Sequence, residues 1–241
     1  MKFYILIALI FARFCCSAQI SVGLIAEPII NISQSQNIPQ WDSVNSVKKH
    51  DLTIGMGIEI KKKWDRYNSI SLIPGFYQTN LRLVRKDLQF LDIIHPALPE
   101  IRDLTQTASK IANLRYRNQY IGLQVLINRQ LQLRKIPQKI KVEAGYGLGI
   151  FALAHHSIKI QTEGFAVNNT FMQVINKETG VNPKLYLIQI LGDINLLYNL
   201  TPKLILSGGI KAALPLNKTN TENFSYSIYT PGFKIGLRKV I

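Results

Sequence analysis

The chain has 241 residues, with 29 lysines and arginines against 14 aspartates and glutamates, a formal net charge of +15. Both cysteines, Cys15 and Cys16, fall in the first 18 residues, so the rest of the chain holds no disulfide, thiolate metal site or cysteine nucleophile. No later run of 18 or more apolar residues appears, which excludes a transmembrane helix beyond that point.

Residues 1–18 read as a signal peptide. Lys2 gives the positive start, Phe3 to Ala12 is an apolar run too short to span as a helix, and Cys16-Ser17-Ala18 places small residues before a cleavage at Gln19. Residues 19–241 then form one domain. Removing Lys2 and Arg13 leaves a net charge of +13. In an exported chain this excess points to anionic lipid headgroups or lipopolysaccharide rather than to nucleic acid.

From Ile20 onward one template recurs eight times: apolar and polar residues alternate with period two, which sorts them onto the two faces of a β-strand. The first strand, about 20–32, sets Val22, Leu24 and Ala26 against Ser21, Gly23 and Glu27. His50 to Arg85 is the clearest unit, a hairpin. Its first half opposes Leu52, Ile54, Met56, Ile58 and Ile60 to Thr53, Gly55, Gly57, Glu59 and Lys61. After KKKWDRYN its second half opposes Ile70, Leu72, Pro74 and Phe76 to Ser69, Ser71, Gly75 and Tyr77. Residues 86–114 carry Ile101, Leu104, Ala108 and Ile111 at helical spacing. With Pro99 and Glu100 at the start, they predict a short amphipathic helix over 99–113.

The fourth strand is expected at 117–130, with Gln124 on its polar face, and the fifth at 139–154, with Lys141 and Glu143. The sixth, 184–198, is apolar almost throughout but carries Gln189, Asp193 and Asn195 in one register. The seventh, 203–216, includes Lys211 on its polar face, and the eighth, 225–241, Lys234 and Arg238.

Connection lengths alternate. Strands two–three, four–five and six–seven are joined by short turns, and the others by longer segments. A transmembrane β-strand takes about 9–11 residues per crossing, and an outer-membrane barrel has short periplasmic turns and longer external loops. The expectation is an all-β, eight-stranded antiparallel up-and-down transmembrane barrel in a bacterial outer membrane, monomeric, with long external loops.

If the apolar faces meet lipid, the polar faces fill the lumen, since eight strands enclose only enough space for side chains. The expected lumen core is Glu27, Glu59, Lys61, Gln124, Lys141, Glu143, Gln189, Asp193, Lys211, Lys234 and Arg238. Buried charges are costly unless paired, so these acids and bases should bridge. A basic periplasmic rim is expected at Lys62, Lys63, Arg66, Arg134 and Lys135, against phospholipid headgroups or an acidic protein partner in the periplasm. An extracellular partner at the loops is the other candidate.

The reverse orientation, a soluble lipocalin-type barrel with its apolar face around a hydrophobic ligand, is the first alternative. The second is a lipid A-modifying enzyme, with His155-His156-Ser157 and Glu163 near the outer rim. His50, His95, His155 and His156 all fall near the external rim. Their expected state is solvated, with no metal and no cofactor.

The residues 17–19 of the signal end, KKKW at 61–64, SLIPGFY at 71–77 and the terminal GFKIGLRKVI resemble the outer-membrane β-barrel proteins of Bacteroidetes, of the PorT-like group. The resemblance spans most of residues 19–241. It implies the same barrel fold, no catalytic motif, and an association with type IX secretion for some members.

Overall fold

The computed structural model describes residues 19–36, 46–49, 51–86, 111–133, 137, 139–163, 183–219 and 225–241. The signal-peptide expectation for residues 1–18 lies outside these.

Nine strands are formed: β1 (Ile20–Gln36), β2 (Ser46–Lys49), β3 (Asp51–Lys63), β4 (Asn68–Lys86), β5 (Ile111–Leu131), β6 (Ile140–Glu163), β7 (Tyr186–Thr201), β8 (Leu204–Pro215) and β9 (Ser225–Val240). Every pairing is antiparallel. The sheet runs β3-β1-β9-β8-β7-β6-β5, and β4 bonds both β3 and β5, so it closes on itself. β2 continues the β3 stave and pairs the outer end of β4, from Ser46 opposite Arg85 to Lys49 opposite Arg82. The closed wall therefore has eight staves.

Closure is a consequence of the sequence pattern. A sheet with one lipid-facing apolar surface cannot leave an open edge in hydrocarbon, because each unpaired backbone group there would cost several kcal/mol. β1 closes the ring by pairing β3 and β9 at once, with Leu24 opposite both Ile58 and Leu237.

The turns after β3 and β7 and the β5–β6 connection lie at one end, with residues 19 and 241. The amide of Ile241 donates to the Ile20 carbonyl there at 2.9 Å. The first turn is set by Asp65. Its Oδ1 accepts from the amides of Tyr67 and Asn68 at 2.6 and 2.7 Å, and its Oδ2 from Asn68 Nδ2 at 2.7 Å. This is how an aspartate shapes a turn through its own side chain. The Asn68 side chain and the two amides hold the Asp65 carboxyl below its ordinary range.

The sign of the faces is unambiguous. Leu24 (70% exposed), Leu52 (69%), Met56, Ile58, Ile121, Leu148, Ile150, Ile194, Ile210, Phe233 and Ile235 point away from the barrel. This overturns the lipocalin-type reading, which needs those residues inside.

Three expectations are corrected. Residues Ile111 to Asn113, the end of the expected helix, begin β5, and the remainder of 99–110 lies outside the described residues. β5 and β6 stay paired, across one bulge, out to Ile111 opposite Glu163, so Ser157 lies within a strand rather than starting a loop. His155 and His156 consequently lie on the barrel wall instead of beyond it.

Candidate functional site

The lumen is the most elaborated part of the molecule. Strand alternation delivers one inward residue in two from each stave, and glycines set the depth each can reach. A Cβ at Gly145 would meet the Asp193 carboxylate and stand 2.6 Å from Asn128 Oδ1, so glycine there makes room for both polar groups.

Four acids, Glu27, Glu59, Glu143 and Asp193, and four bases, Lys61, Lys211, Lys234 and Arg238, are buried in this space. They are matched across the barrel rather than along a strand. Lys61 of β3 bonds Glu143 of β6. Lys211 of β8 donates to Glu27 of β1 at 2.7 Å and to Gln124 Oε1 of β5 at 2.5 Å. Lys234 of β9 bridges Asp193 of β7 at 3.2 Å and Glu59 of β3 at 3.6 Å, and Arg238 takes the other oxygen of Glu59 at 3.3 Å. Ser71 of β4 donates to Glu59 at 2.9 Å. All eight staves thus contribute to three groups of paired charges.

Gln189 lies farther out, where its Nε2 donates to the Tyr77 hydroxyl at 3.1 Å, and that hydroxyl donates to Thr230 at 2.6 Å. Of the expected lumen residues only Lys141 is not buried. It stops half-exposed at the periplasmic mouth beside Lys63. The cavity at that mouth, also lined by Lys61, Glu143 and Arg238, holds about 30 Å³. Its lining does not include Glu27, Glu59, Asp193, Lys211 or Lys234.

Sequence reasoning set Tyr77 on the inward face with Ser69 and Ser71 but named only polar residues for the lumen core, and much of this interior is apolar. Ile29, Tyr77, Tyr120, Phe151 and Leu187 pack into one cluster. Tyr77 and Phe151 stack there with ring centroids 5.0 Å apart. Ile25, Ile73, Leu126, Leu191 and Ala213 form a second cluster. The available signal was register. Tyr77 and Tyr120 fall in the same alternation as Ser71 and Gln124, and β7 is apolar on both faces, as a strand buried on both sides reads.

Of the rim residues, Lys63 and Arg66 lie at the short-turn end, with Arg66 over the Tyr67 ring at 5.4 Å. Lys62 shares the outward register of Ile58 and Ile60. Arg134 and Lys135 lie outside the described residues.

The histidine expectation changes in detail. Gln119 pairs His155 but Tyr120 pairs Leu153, so Ala154 is an extra residue, a β-bulge. The bulge reverses the facing of the residues beyond it, and His156 turns inward, hydrogen-bonded to Asn118 Oδ1 at 2.6 Å. His155 stays exposed on the outer wall. The two histidines thus occupy opposite faces of the wall. His50 and His95 lie outside the described residues. Among the described residues no group of three or more His, Cys, Asp or Glu is placed to hold a metal.

A closed antiparallel barrel with an apolar outer belt, a polar charge-paired lumen, short turns at one end and long connections at the other is a transmembrane β-barrel of the outer-membrane type. No family model and no curated protein matches the chain. Among solved structures it is similar to Neisserial surface protein A at 11% identity and a TM-score of 0.48, over 93% of this chain and 99% of that one. It is also similar to outer membrane protein OprG from Pseudomonas aeruginosa at 8% identity and a TM-score of 0.43, over 91% and 94%. A third is E. coli outer membrane protein W, at 9% identity and a TM-score of 0.34, over 89% and 96%. These likenesses are distant, and the assignment of class stands on the barrel's own geometry.

Proposed function

We propose that this protein is a non-enzymatic outer-membrane barrel. Its transmembrane part is a non-conducting anchor, and its activity resides in the surfaces at its two ends, in adhesion or in secretion. The observation that carries this reading is the lumen network. Lys61–Glu143, Lys211–Glu27 and the Lys234–Asp193–Glu59–Arg238 chain cross the barrel in successive levels, with two apolar clusters packed among them. An ion entering would have to break buried pairs, each costly to open. Such a barrel holds things in place at its rims more readily than it passes them through.

The finer reading is a secretion-associated component. It draws on the resemblance of SLIPGFY at 71–77 and GFKIGLRKVI at 232–241 to the PorT-like barrels of Bacteroidetes, and on the basic periplasmic end at Lys62, Lys63 and Arg66. An acidic periplasmic partner suits that end by charge.

Two measurements test this. Purified protein in planar lipid bilayers should give no stable conductance steps, and porin-like steps would overturn the anchor. In cells, deletion should reduce export of secreted cargo. The wild-type chain should rescue it, and a Lys62→Glu/Lys63→Glu/Arg66→Glu variant should not. Unchanged export after deletion would remove the secretion reading.

A further inference from the structure

The outer wall of β4, β5 and β6 carries a second feature, which neither the lumen nor the periplasmic end explains. Above the apolar belt the outward residues of these strands line up in registered rows. Phe76, Ile121 and Ala152 form the last apolar row. Beyond it come Gln78, Gln119 and His155, then Asn80, Arg117 and Ser157, then Arg82, Arg115 and Lys159. Register places Lys49 of β2 opposite Arg82.

Alternation fixes the facing. Arg115 and Arg117 flank the buried Tyr116, Arg82 follows the buried Leu81, and Lys159 is exposed. Like charges directly opposite one another across strands are destabilising. Asp51 stands among them: its Oδ2 meets Arg115 at 3.0 Å and Asn80, itself buried, at 2.9 Å. At the outer ends of β1 and β9 the chain has no lysine or arginine, only NISQSQ at 31–36 and SYSIYT at 225–230. Lys184 and Lys218 stand at the outer ends of β7 and β8, so among the described residues the cations are densest on the β4–β6 side and missing from the β1–β9 side.

Height identifies what meets the patch. The Arg82 row lies six residues beyond Phe76, roughly 20 Å of strand at about 3.3 Å per residue. A strand tilt of 35–45° reduces that to about 15 Å above the hydrocarbon edge. The headgroup layer is only about 5–7 Å deep on each side, so the row stands above it and reaches its phosphates only with the side chains turned down along the wall. Arginine's planar fork suits phosphate oxygens, and the long stems can lie along the wall while the charged ends turn to the lipid.

We propose that Arg82, Arg115, Arg117 and Lys159 form a binding site for the phosphate groups of an outer-leaflet glycolipid. This rests on the barrel lying in the outer membrane with its long connections outside. The site orients and anchors the barrel from the β4–β6 side, opposite the uncharged β1–β9 side.

The test uses the full chain folded in detergent micelles, with folding checked by its gel shift on heating. Binding of bisphosphorylated lipid A is compared with that of its dephosphorylated form by native mass spectrometry. The phosphorylated form should bind at least tenfold tighter. The Arg82→Gln/Arg117→Gln/Lys159→Gln variant should bring the two within about threefold. Lys203→Gln/Lys239→Gln, which removes two charges at the periplasmic end, should leave the preference intact. Equal affinity for the two lipids in the wild type, or a preference that survives the triple variant, would overturn the site. So would equal loss in the periplasmic variant, which would mean net charge alone is read. Tighter binding of a soluble anionic polysaccharide than of the glycolipid would assign the patch to an extracellular polymer and also overturn it. A protein that never enters the membrane fraction fails the barrel reading instead, so the two failures are separable.

Discussion

Lys61 and Glu143 show how a charged residue is tolerated inside this barrel. Both are buried, and each is the other's main partner. Removing one member leaves an uncompensated buried charge, which typically costs about 3–5 kcal/mol, whereas replacing both with apolar residues of similar size is often neutral. Glu143→Leu should therefore destabilise the folded barrel by that amount in urea titrations from lipid vesicles, and Lys61→Met/Glu143→Leu should recover most of it. Equal destabilisation by the single and double variants would show that the pair is not the unit. The sequence marked these residues as inward, because alternation depends only on the chain. It could not mark their partners, since Lys61 meets a residue 82 positions away through the closure and stagger of eight staves. Register set Tyr77 on the inward face as well, but its stacking on Phe151 could not be read from the chain, because the two meet only through the closed barrel.

Strand β3 shows the division between faces most clearly. Thr53, Gly55, Glu59 and Lys61 are buried while Leu52, Ile54, Met56, Ile58 and Ile60 are exposed. A charge placed at Ile58 must sit in hydrocarbon, and near the midplane arginine costs about 2–4 kcal/mol there. Ile58→Arg should lower folding stability in vesicles by that amount, and Leu24→Arg, directly across from it on β1, should behave alike. A neutral effect at both positions would mean this face does not meet lipid. β6 shows the limit of pattern reading. Its alternation is legible as far as Phe151, but the bulge at Ala154 shifts the period by one, so the facing of His156 required the pairing with β5. The outer ends of β5 and β6 were hidden for another reason: Arg115, Arg117 and Lys159 replace apolar residues on the outward face, although the backbone ladder continues.

At the scale of the molecule, the eight-fold repeat of alternation and the short-long order of connections were enough to specify a closed membrane barrel, because both arise from the need to satisfy every backbone group away from water. The interior chemistry is then set by size: eight staves leave room for side chains and little else. The two ends differ in build: the short-turn end is compact and carries Lys63 and Arg66, and the other is a tall wall that carries Arg82, Arg115 and Arg117 on β4 and β5. The measurement that bears most directly on this account is the electrophoretic mobility of the membrane-fraction protein, unboiled and boiled. The account predicts that it sediments with outer membranes and migrates faster unboiled, as a folded barrel that resists detergent until heated. Release as a soluble monomer, with one mobility in both samples, would contradict it.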